Sequence, residues 1–191
     1  LSSKLAEIQT AQDHYSERLI QLPSLGIHYS RPEPSKTART RDFFGVDPAK
    51  HWYVCPQTLF KFHPDFDEVI QGILETDKDG LLILIEGRVA TWTNALLARW
   101  QRTMPHLVER IKFLRPLPQP DFLELLRLAE VALDPYPFGG GNTTYEALAM
   151  GTPVVTFPGK YLRGRLTFAM LQRMEFVETV VSSPKQYVQL A

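Results

Sequence analysis

Residues 81–85 read Leu-Leu-Ile-Leu-Ile, five apolar side chains in succession. A strand with one wet face alternates apolar and polar residues, and a surface helix leaves a polar stripe. A short unbroken run bounded by Gly80 and Glu86 does neither and reads as a strand buried on both faces. The segments around it have a different period. Residues 64–76 place Phe66, Val69, Ile70, Ile73 and Leu74 on one helical face, and residues 91–103 predict a second helix. Short strands are predicted at 52–55, 110–114, 131–133, 153–156 and 177–181. Further helices are predicted at 121–129 (after Pro120, with Asp121 as its cap), 145–150, 162–173 and from Pro184 onward. Strands alternating with helices of roughly ten residues require a parallel sheet with right-handed crossovers. The expected fold class is therefore α/β: a Rossmann-like doubly wound parallel sheet over residues 45–191. Ligands in such sheets sit beyond the carboxyl ends of the strands. That directs attention to the loops 56–63, 86–90, 115–120, 134–144 and 157–165.

The first 44 residues look different. Residues 1–13 carry a weak helical spacing (Leu5, Ile8, Ala11), residues 19–22 form a short strand candidate, and residues 24–42, with Pro32 and Pro34, read as an extended arm. The 191 residues balance 21 Lys and Arg against 21 Asp and Glu. A net charge of zero gives no bulk electrostatic case for nucleic acid or an anionic membrane. No apolar run reaches the roughly 18–20 residues of a membrane span. Cys55 is the only cysteine, which excludes an intrachain disulfide and agrees with a reducing, cytoplasmic setting.

One loop is chemically distinctive. Asp134-Pro135-Tyr136-Pro137-Phe138-Gly139-Gly140-Gly141-Asn142-Thr143-Thr144 runs from a strand end through three glycines into a helix. Glycines remove the β-carbons and let backbone N–H groups approach a ligand closely. Asn142, Thr143 and Thr144 are residue types that cap a helix. The unpaired N–H groups and the dipole of a helix N-terminus attract an anion, so a phosphate or diphosphate is expected here. Glu146 follows in the first helical turn, placed either to accept hydrogen bonds from a ribose diol or merely to favour the dipole. Tyr136 and Phe138 fill space beneath the loop.

Other loops offer weaker candidates. After the first main strand come Gln57, Thr58, Lys61 and His63. Lys61 is either a phosphate-binding point charge or a solvated lysine. Asp65-Phe66-Asp67 has the form of a metal-binding D-x-D pair, but it falls in the first turn of a helix, where carboxylates favour the dipole, and that structural reading prevails. His63 reads as a surface histidine. Arg115-Pro116-Leu117-Pro118-Gln119-Pro120 is a stiff loop suited to presenting main chain to a flat base, with Phe122 either packing on that base or stapling its helix to the sheet. Lys160, Arg163 and Arg165 form a basic turn that faces a diphosphate or simply solvent. No Walker pattern, dinucleotide fingerprint, zinc constellation or hydrolase elbow is present.

Taken together, Phe138 through Thr144, Glu146, Gly151-Thr152-Pro153-Val154-Val155-Thr156-Phe157-Pro158-Gly159 and Arg165 resemble the C-terminal catalytic lobe of O-linked N-acetylglucosamine transferases and SPINDLY-like proteins, glycosyltransferase family 41. His14-Tyr15-Ser16-Glu17-Arg18-Leu19 with Leu22-Pro23 is similar to the segment preceding that lobe in bacterial members. Lys61-Phe62-His63-Pro64 is similar to the family's lysine turn, and Arg110-Ile111-Lys112-Phe113 also fits. The resemblance runs along nearly the whole chain.

It implies a GT-B glycosyltransferase with two Rossmann-like lobes, inversion at the anomeric carbon and no metal or other cofactor. By carry-over Lys61 stabilises the leaving diphosphate, and Gly140, Gly141, Asn142, Thr143 and Thr144 hold it with the helix N-terminus. Glu146 takes the ribose, where animal relatives have aspartate. The Leu117 main chain and Phe122 hold the uracil, with Gln57 and Gln119 beside the donor. Asn142, Gln119 and Phe122 stand where animal relatives have histidine, lysine and histidine, and Pro56-Gln57-Thr58 replaces a Phe-Asn-Gln type of turn. The donor implied is UDP-N-acetylglucosamine, although glucose and fucose donors also occur among relatives. The acceptor is a protein, reached through an N-terminal lobe and tetratricopeptide repeats expected outside this chain, as are closing helices after Ala191. Residues 1–44 would then be the inter-lobe segment and arm. The alternatives are a non-catalytic nucleotide-binding or scaffolding module, and a sugar-nucleotide epimerase of the same fold.

Overall fold

The computed structural model describes residues 1–33 and 36–191; Pro34 and Ser35 of the expected arm lie outside the described residues. Near the N-terminus, Ser2–Ser3 (β1) pairs in parallel with Gln21–Leu22 (β2). The expected helical spacing over residues 1–13 yields only a 3₁₀ turn at Ala11–His14, and the strand candidate at 19–22 shrinks to two residues.

The main body alternates as expected: His51–Val54 (β3), Pro64–Thr76 (α1), Gly80–Ile85 (β4), Ala90–Thr103 (α2), Ile111–Leu114 (β5), Gln119–Leu128 (α3), Val131–Asp134 (β6), Asn142–Ala149 (α4), Val154–Thr156 (β7), Leu166–Arg173 (α5) and Pro184–Leu190 (α6). The strands form one parallel five-stranded sheet in the order β5-β4-β3-β6-β7. Trp52 lies beside Leu81, Tyr53 beside Val131, and Ala132 beside Val154. The continuous apolar run is buried on both faces. Leu82 and Leu84 join Tyr53, Leu133 and Val155 beneath α1, α2 and α6, where Phe66, Ile70, Trp100 and Tyr187 complete one core. Leu81 and Ile83 join Trp52, Val54, Ala132 and Val154 on the opposite face, against Leu125 and Leu126 of α3, Ala147 of α4, and Phe44 and Val46 of the preceding segment. The period-two geometry of a strand divides successive residues between these two cores.

Several boundaries differ from the sequence expectation. The expected sixth strand at 177–181 reduces to a single bridge between Thr156 and Val180, preceded by a turn in which Glu175 takes φ 57° and Val177 is exposed. The expected helix over 162–173 is a 3₁₀ turn at Leu162–Gly164 followed by α5, because Gly164 packs onto the Pro137 carbonyl, which a Cβ would approach to 2.7 Å. Asp121 lies inside the first turn of α3 instead of capping it and pairs with Arg39 at 2.7 Å. Arg110 belongs to the turn Pro105–Arg110, not to β5, and its guanidinium donates to the carbonyls of Leu74, Asp77 and Gly80.

The arm lies along one flank. The Arg39 backbone N–H reaches Glu124, and Arg41 reaches the Leu128 carbonyl and Glu130. Among the described residues no helix is long and apolar enough to cross a membrane.

Candidate functional site

From β3 the chain builds β4 and β5 to one side, then returns to build β6 and β7 on the other. The carboxyl ends of β3 and β6 therefore open a crevice at the switch of direction, the place where open α/β sheets bind ligands. The loop after β3 supplies Gln57 and Lys61. The loop after β6 supplies the three glycines, and α4 begins where they end.

Asp134 organises this crevice from below. It ends β6 fully buried, accepting the Gly140 N–H at 2.5 Å and the Thr156 hydroxyl at 2.7 Å. Burial pushes its carboxyl up to about 6, opposed by the Thr156 hydroxyl and the Gly140 N–H. Two of the glycines are required by this packing. A Cβ on Gly139 would stand 2.8 Å from Asp134 Oδ2, and one on Gly140 would strike Thr144 Oγ1 and come within 2.7 Å of Gln57 Nε2. Only at Gly141 is there room, the nearest atom being Leu166 Cδ1 at 3.8 Å. Gly141 is also the N-cap of α4, so Asn142, Thr143 and Thr144 form the first helical turn and do not precede it as caps. Thr144 is buried, its hydroxyl 3.0 Å from that of Thr167.

Lys61 bridges the two sides of the crevice. Its Nζ donates to Gln57 Oε1 at 2.9 Å and to the Gly139 carbonyl at 2.8 Å, and it lies 4.3 Å from the centre of the Phe138 ring. Burial lowers the Lys61 ammonium pKa, with the Asp134 charge acting in the opposite direction. Both direct acceptors are neutral, so the cation is held in place without being neutralised by contact. Gln57, itself buried, donates from Nε2 to Thr143 Oγ1 at 2.5 Å. Lys61, Gln57, Thr143 and the glycine loop thus form one continuous hydrogen-bonded unit around the start of α4. The first N–H groups of a helix point outward without intrahelical acceptors.

Beside this unit opens a cleft of about 530 Å³ lined by the loops after β3, β4 and β5 and by the starts of α2, α3 and α4, among them Gln57, Glu86, Trp92, Leu117, Phe122 and Thr143. Of the expected donor contacts, Gln57, Leu117, Phe122 and Thr143 share this cleft. Gln119 and Glu146 meet on the flank of α4, Gln119 Nε2 donating to Glu146 Oε1 at 3.4 Å. Gly141 and Asn142 line a separate, mostly apolar cavity of about 160 Å³ between the arm and α5.

The remaining candidates have structural partners. Asp67 accepts from Arg99 at 2.8 Å and from the Trp100 indole at 2.8 Å, and His63 accepts the Asp65 N–H at the start of α1. Arg165 donates to the carbonyls of Ala6 and Gly159, tying the N-terminal segment to the basic turn. Sequence reading passed over Asp134 as an organiser, although an acid ending a buried strand just before three glycines is a legible sign. It also passed over Tyr29, whose hydroxyl donates to Glu146 Oε1 at 3.0 Å from 117 residues away and which no local pattern marks.

No protein-family model matches the chain. Over 71 residues it is 32% identical to the SPINDLY protein of Oryza sativa subsp. japonica, described as a probable UDP-N-acetylglucosamine–peptide N-acetylglucosaminyltransferase; the match covers 37% of this chain and 8% of that protein. A Giardia intestinalis UDP-N-acetylglucosamine–peptide N-acetylglucosaminyltransferase is 24% identical over 152 residues, 78% of this chain and 10% of the relative. The solved structure of a mutant Thermobaculum terrenum O-GlcNAc transferase superposes with a TM-score of 0.84 at 26% identity, covering 99% of this chain and 35% of that one. WaaG, a glycosyltransferase of lipopolysaccharide biosynthesis, shares the fold with a TM-score of 0.62 at 18% identity. The chain thus spans about a tenth or less of the curated relatives it matches and about a third of the O-GlcNAc transferase structure. Its parallel sheet has the Rossmann-like fold of a lobe in these GT-B structures.

Proposed function

We propose that this chain, which belongs to the O-GlcNAc transferase and SPINDLY-like family, is the donor-binding lobe of an inverting, metal-independent transferase. That enzyme moves N-acetylglucosamine from UDP-N-acetylglucosamine to Ser and Thr hydroxyls of proteins. In this reading residues 45–191 hold the donor, residues 1–44 lead into the lobe, and the acceptor and the base that deprotonates it are supplied by regions outside this chain, in the cytoplasm.

The observation that carries the reading is Lys61. An ammonium has three N–H donors. Here two go to Gln57 and Gly139, which fixes the group beside the first turn of α4 and leaves a donor for a ligand oxygen. The diphosphate lies against this donor, the α4 N–H groups and the Thr143 hydroxyl. Uracil occupies the cleft between the Leu117 main chain and Phe122, and Glu146 receives the ribose hydroxyls. As the acceptor oxygen bonds to the anomeric carbon, the bond from that carbon to the diphosphate oxygen breaks. The electron pair leaves with UDP, and Lys61 and the helix N-terminus stabilise the growing charge from fixed positions.

Calorimetric titration of the full-length protein with UDP, UDP-N-acetylglucosamine and GDP tests this. The expected result is binding of the two uridine compounds that persists in EDTA, with GDP weaker. A folded protein that binds none of them would overturn the reading in favour of a scaffolding module.

A further inference from the structure

Glu146 lies in a different environment from an ordinary glutamate of an exposed helix start. It is buried, and among the described residues two side chains donate to it, both at the same oxygen: Tyr29 at 3.0 Å and Gln119 at 3.4 Å. Tyr29 comes from the arm and is itself held. Its ring stacks on Tyr145 with centroids 5.4 Å apart and planes 10° from parallel, and the Tyr145 hydroxyl donates back to the Ile27 carbonyl. Arg31 continues the attachment, reaching the Ala149 carbonyl near the end of α4. Burial and the bond to Glu146 raise the Tyr29 hydroxyl pKa, so it stays protonated and can only donate to the carboxylate.

We infer that Tyr29 is a positioning residue for ribose recognition: by engaging Oε1 it fixes the Glu146 carboxylate with Oε2 turned to the vicinal hydroxyls of a ribonucleoside diphosphate. The inference rests on the proposed donor site and adds a specificity that this site alone does not have. A free glutamate rotates about three bonds and loses that freedom when it binds a diol. One already pinned at one oxygen has lost it beforehand, so the diol gains the full strength of a charge-assisted hydrogen bond. The arm therefore takes part in selecting ribose over deoxyribose, and Gln119 adds a weaker contribution from the other side.

The test is calorimetric titration of UDP and 2′-deoxy-UDP on the full-length protein and its Tyr29→Phe and Gln119→Ala variants, with melting temperatures measured in parallel. Phenylalanine keeps the stack on Tyr145 and removes only the hydroxyl. The wild type is expected to prefer UDP by about tenfold or more, the scale of one hydrogen bond to a charged group. Tyr29→Phe should lower that preference at least threefold, through weaker UDP binding with 2′-deoxy-UDP little changed and the melting temperature held. Gln119→Ala should shift it in the same direction by less. Equal losses for both nucleotides, or an unchanged ratio in Tyr29→Phe, would assign the tyrosine to packing and overturn the inference. A wild type that binds both nucleotides equally would also overturn it while leaving the donor site standing. Absence of any nucleotide binding would remove the donor site itself.

Discussion

Replacing Gly140 with alanine separates two reasons for a glycine in this loop. If the residue is small to admit a ligand, alanine should weaken binding and leave the fold alone. The geometry requires the opposite order of effects. An added Cβ strikes Thr144 Oγ1, comes within 2.7 Å of Gln57 Nε2 and lies 3.3 Å from Asp134 Oδ1. None of these atoms moves freely. Thr144 is bonded to Thr167, Gln57 is held between Lys61 and Thr143, and Asp134 is fixed by Thr156 and by the Gly140 N–H itself. Relief requires a shift of the loop, and overpacking of this kind costs about 1–3 kcal/mol. For a domain of this size that lowers the melting temperature by about 2–12 °C. Thr144→Ala removes the nearest obstruction, so the double variant should be less destabilised than the sum of the singles by at least ~0.5 kcal/mol. Gly159→Ala, where nothing lies within 4 Å of the added carbon, serves as the control and should change stability by less than about 0.5 kcal/mol. Differential scanning calorimetry of the four variants without ligand provides the assay. A Gly140→Ala protein as stable as the wild type, or a double variant showing no rescue, would refute the packing account of the loop.

Asp134→Asn keeps a carbonyl acceptor for the Gly140 N–H and removes a buried charge. The wild-type carboxyl, at about 6 against an ordinary value near 4, binds its proton more tightly when folded. Its contribution to stability is therefore greatest below pH 4 and falls as pH rises to 6, a loss of roughly 3 kcal/mol relative to Asp134→Asn that then levels off. Urea melts at pH 4, 5, 6 and 7.5 should reveal that slope, and a constant difference between the two proteins would contradict it. Lys61→Ala in the full-length enzyme should lower sugar transfer by about 10²–10³-fold, the scale of losing a fixed transition-state donor. The melting temperature should change far less, and a proportionate loss of both would make Lys61 structural. Phe122→Leu retains apolar bulk but no aromatic face, so UDP affinity should fall about fivefold or more; an unchanged affinity by calorimetry would remove Phe122 from the base site.

The doubly wound sheet was legible because each core strand announces itself without help from its neighbours. The run at residues 81–85 can be satisfied only by cover on both faces, and the α1 stripe by a sheet beneath it. Elements that depend on a distant partner were misread. Val177 and its neighbours have strand composition, yet β7 offers them only one bridge at Val180. Residues 162–165 have helical composition, yet Gly164 is claimed by the Pro137 carbonyl. The site divides the same way. Glycines followed by Asn-Thr-Thr mark a helix start from composition alone. That two of those glycines are shaped by Asp134, Thr144 and Gln57, and that an arm tyrosine reaches Glu146, are facts of tertiary contact which no local spacing encodes.

The strand order has a consequence for how the chain comes into being. β3 is the centre of the sheet, but its two neighbours emerge at very different times. β4 follows within one helix, whereas Glu130, which accepts the Trp52 N–H at 2.6 Å and leads into β6, lies 78 residues downstream. At about 5–20 residues per second that interval lasts roughly 4–16 s on a ribosome. Throughout it, the eventual middle of the sheet is a bare edge, the kind of surface that recruits other strands. Lys61 is made early and waits for Gly139, so the crevice exists only once the late strands have docked. A nascent chain of this protein is most exposed to mispairing along β3, and a nucleotide captured by the finished crevice would reward only those copies that closed it correctly.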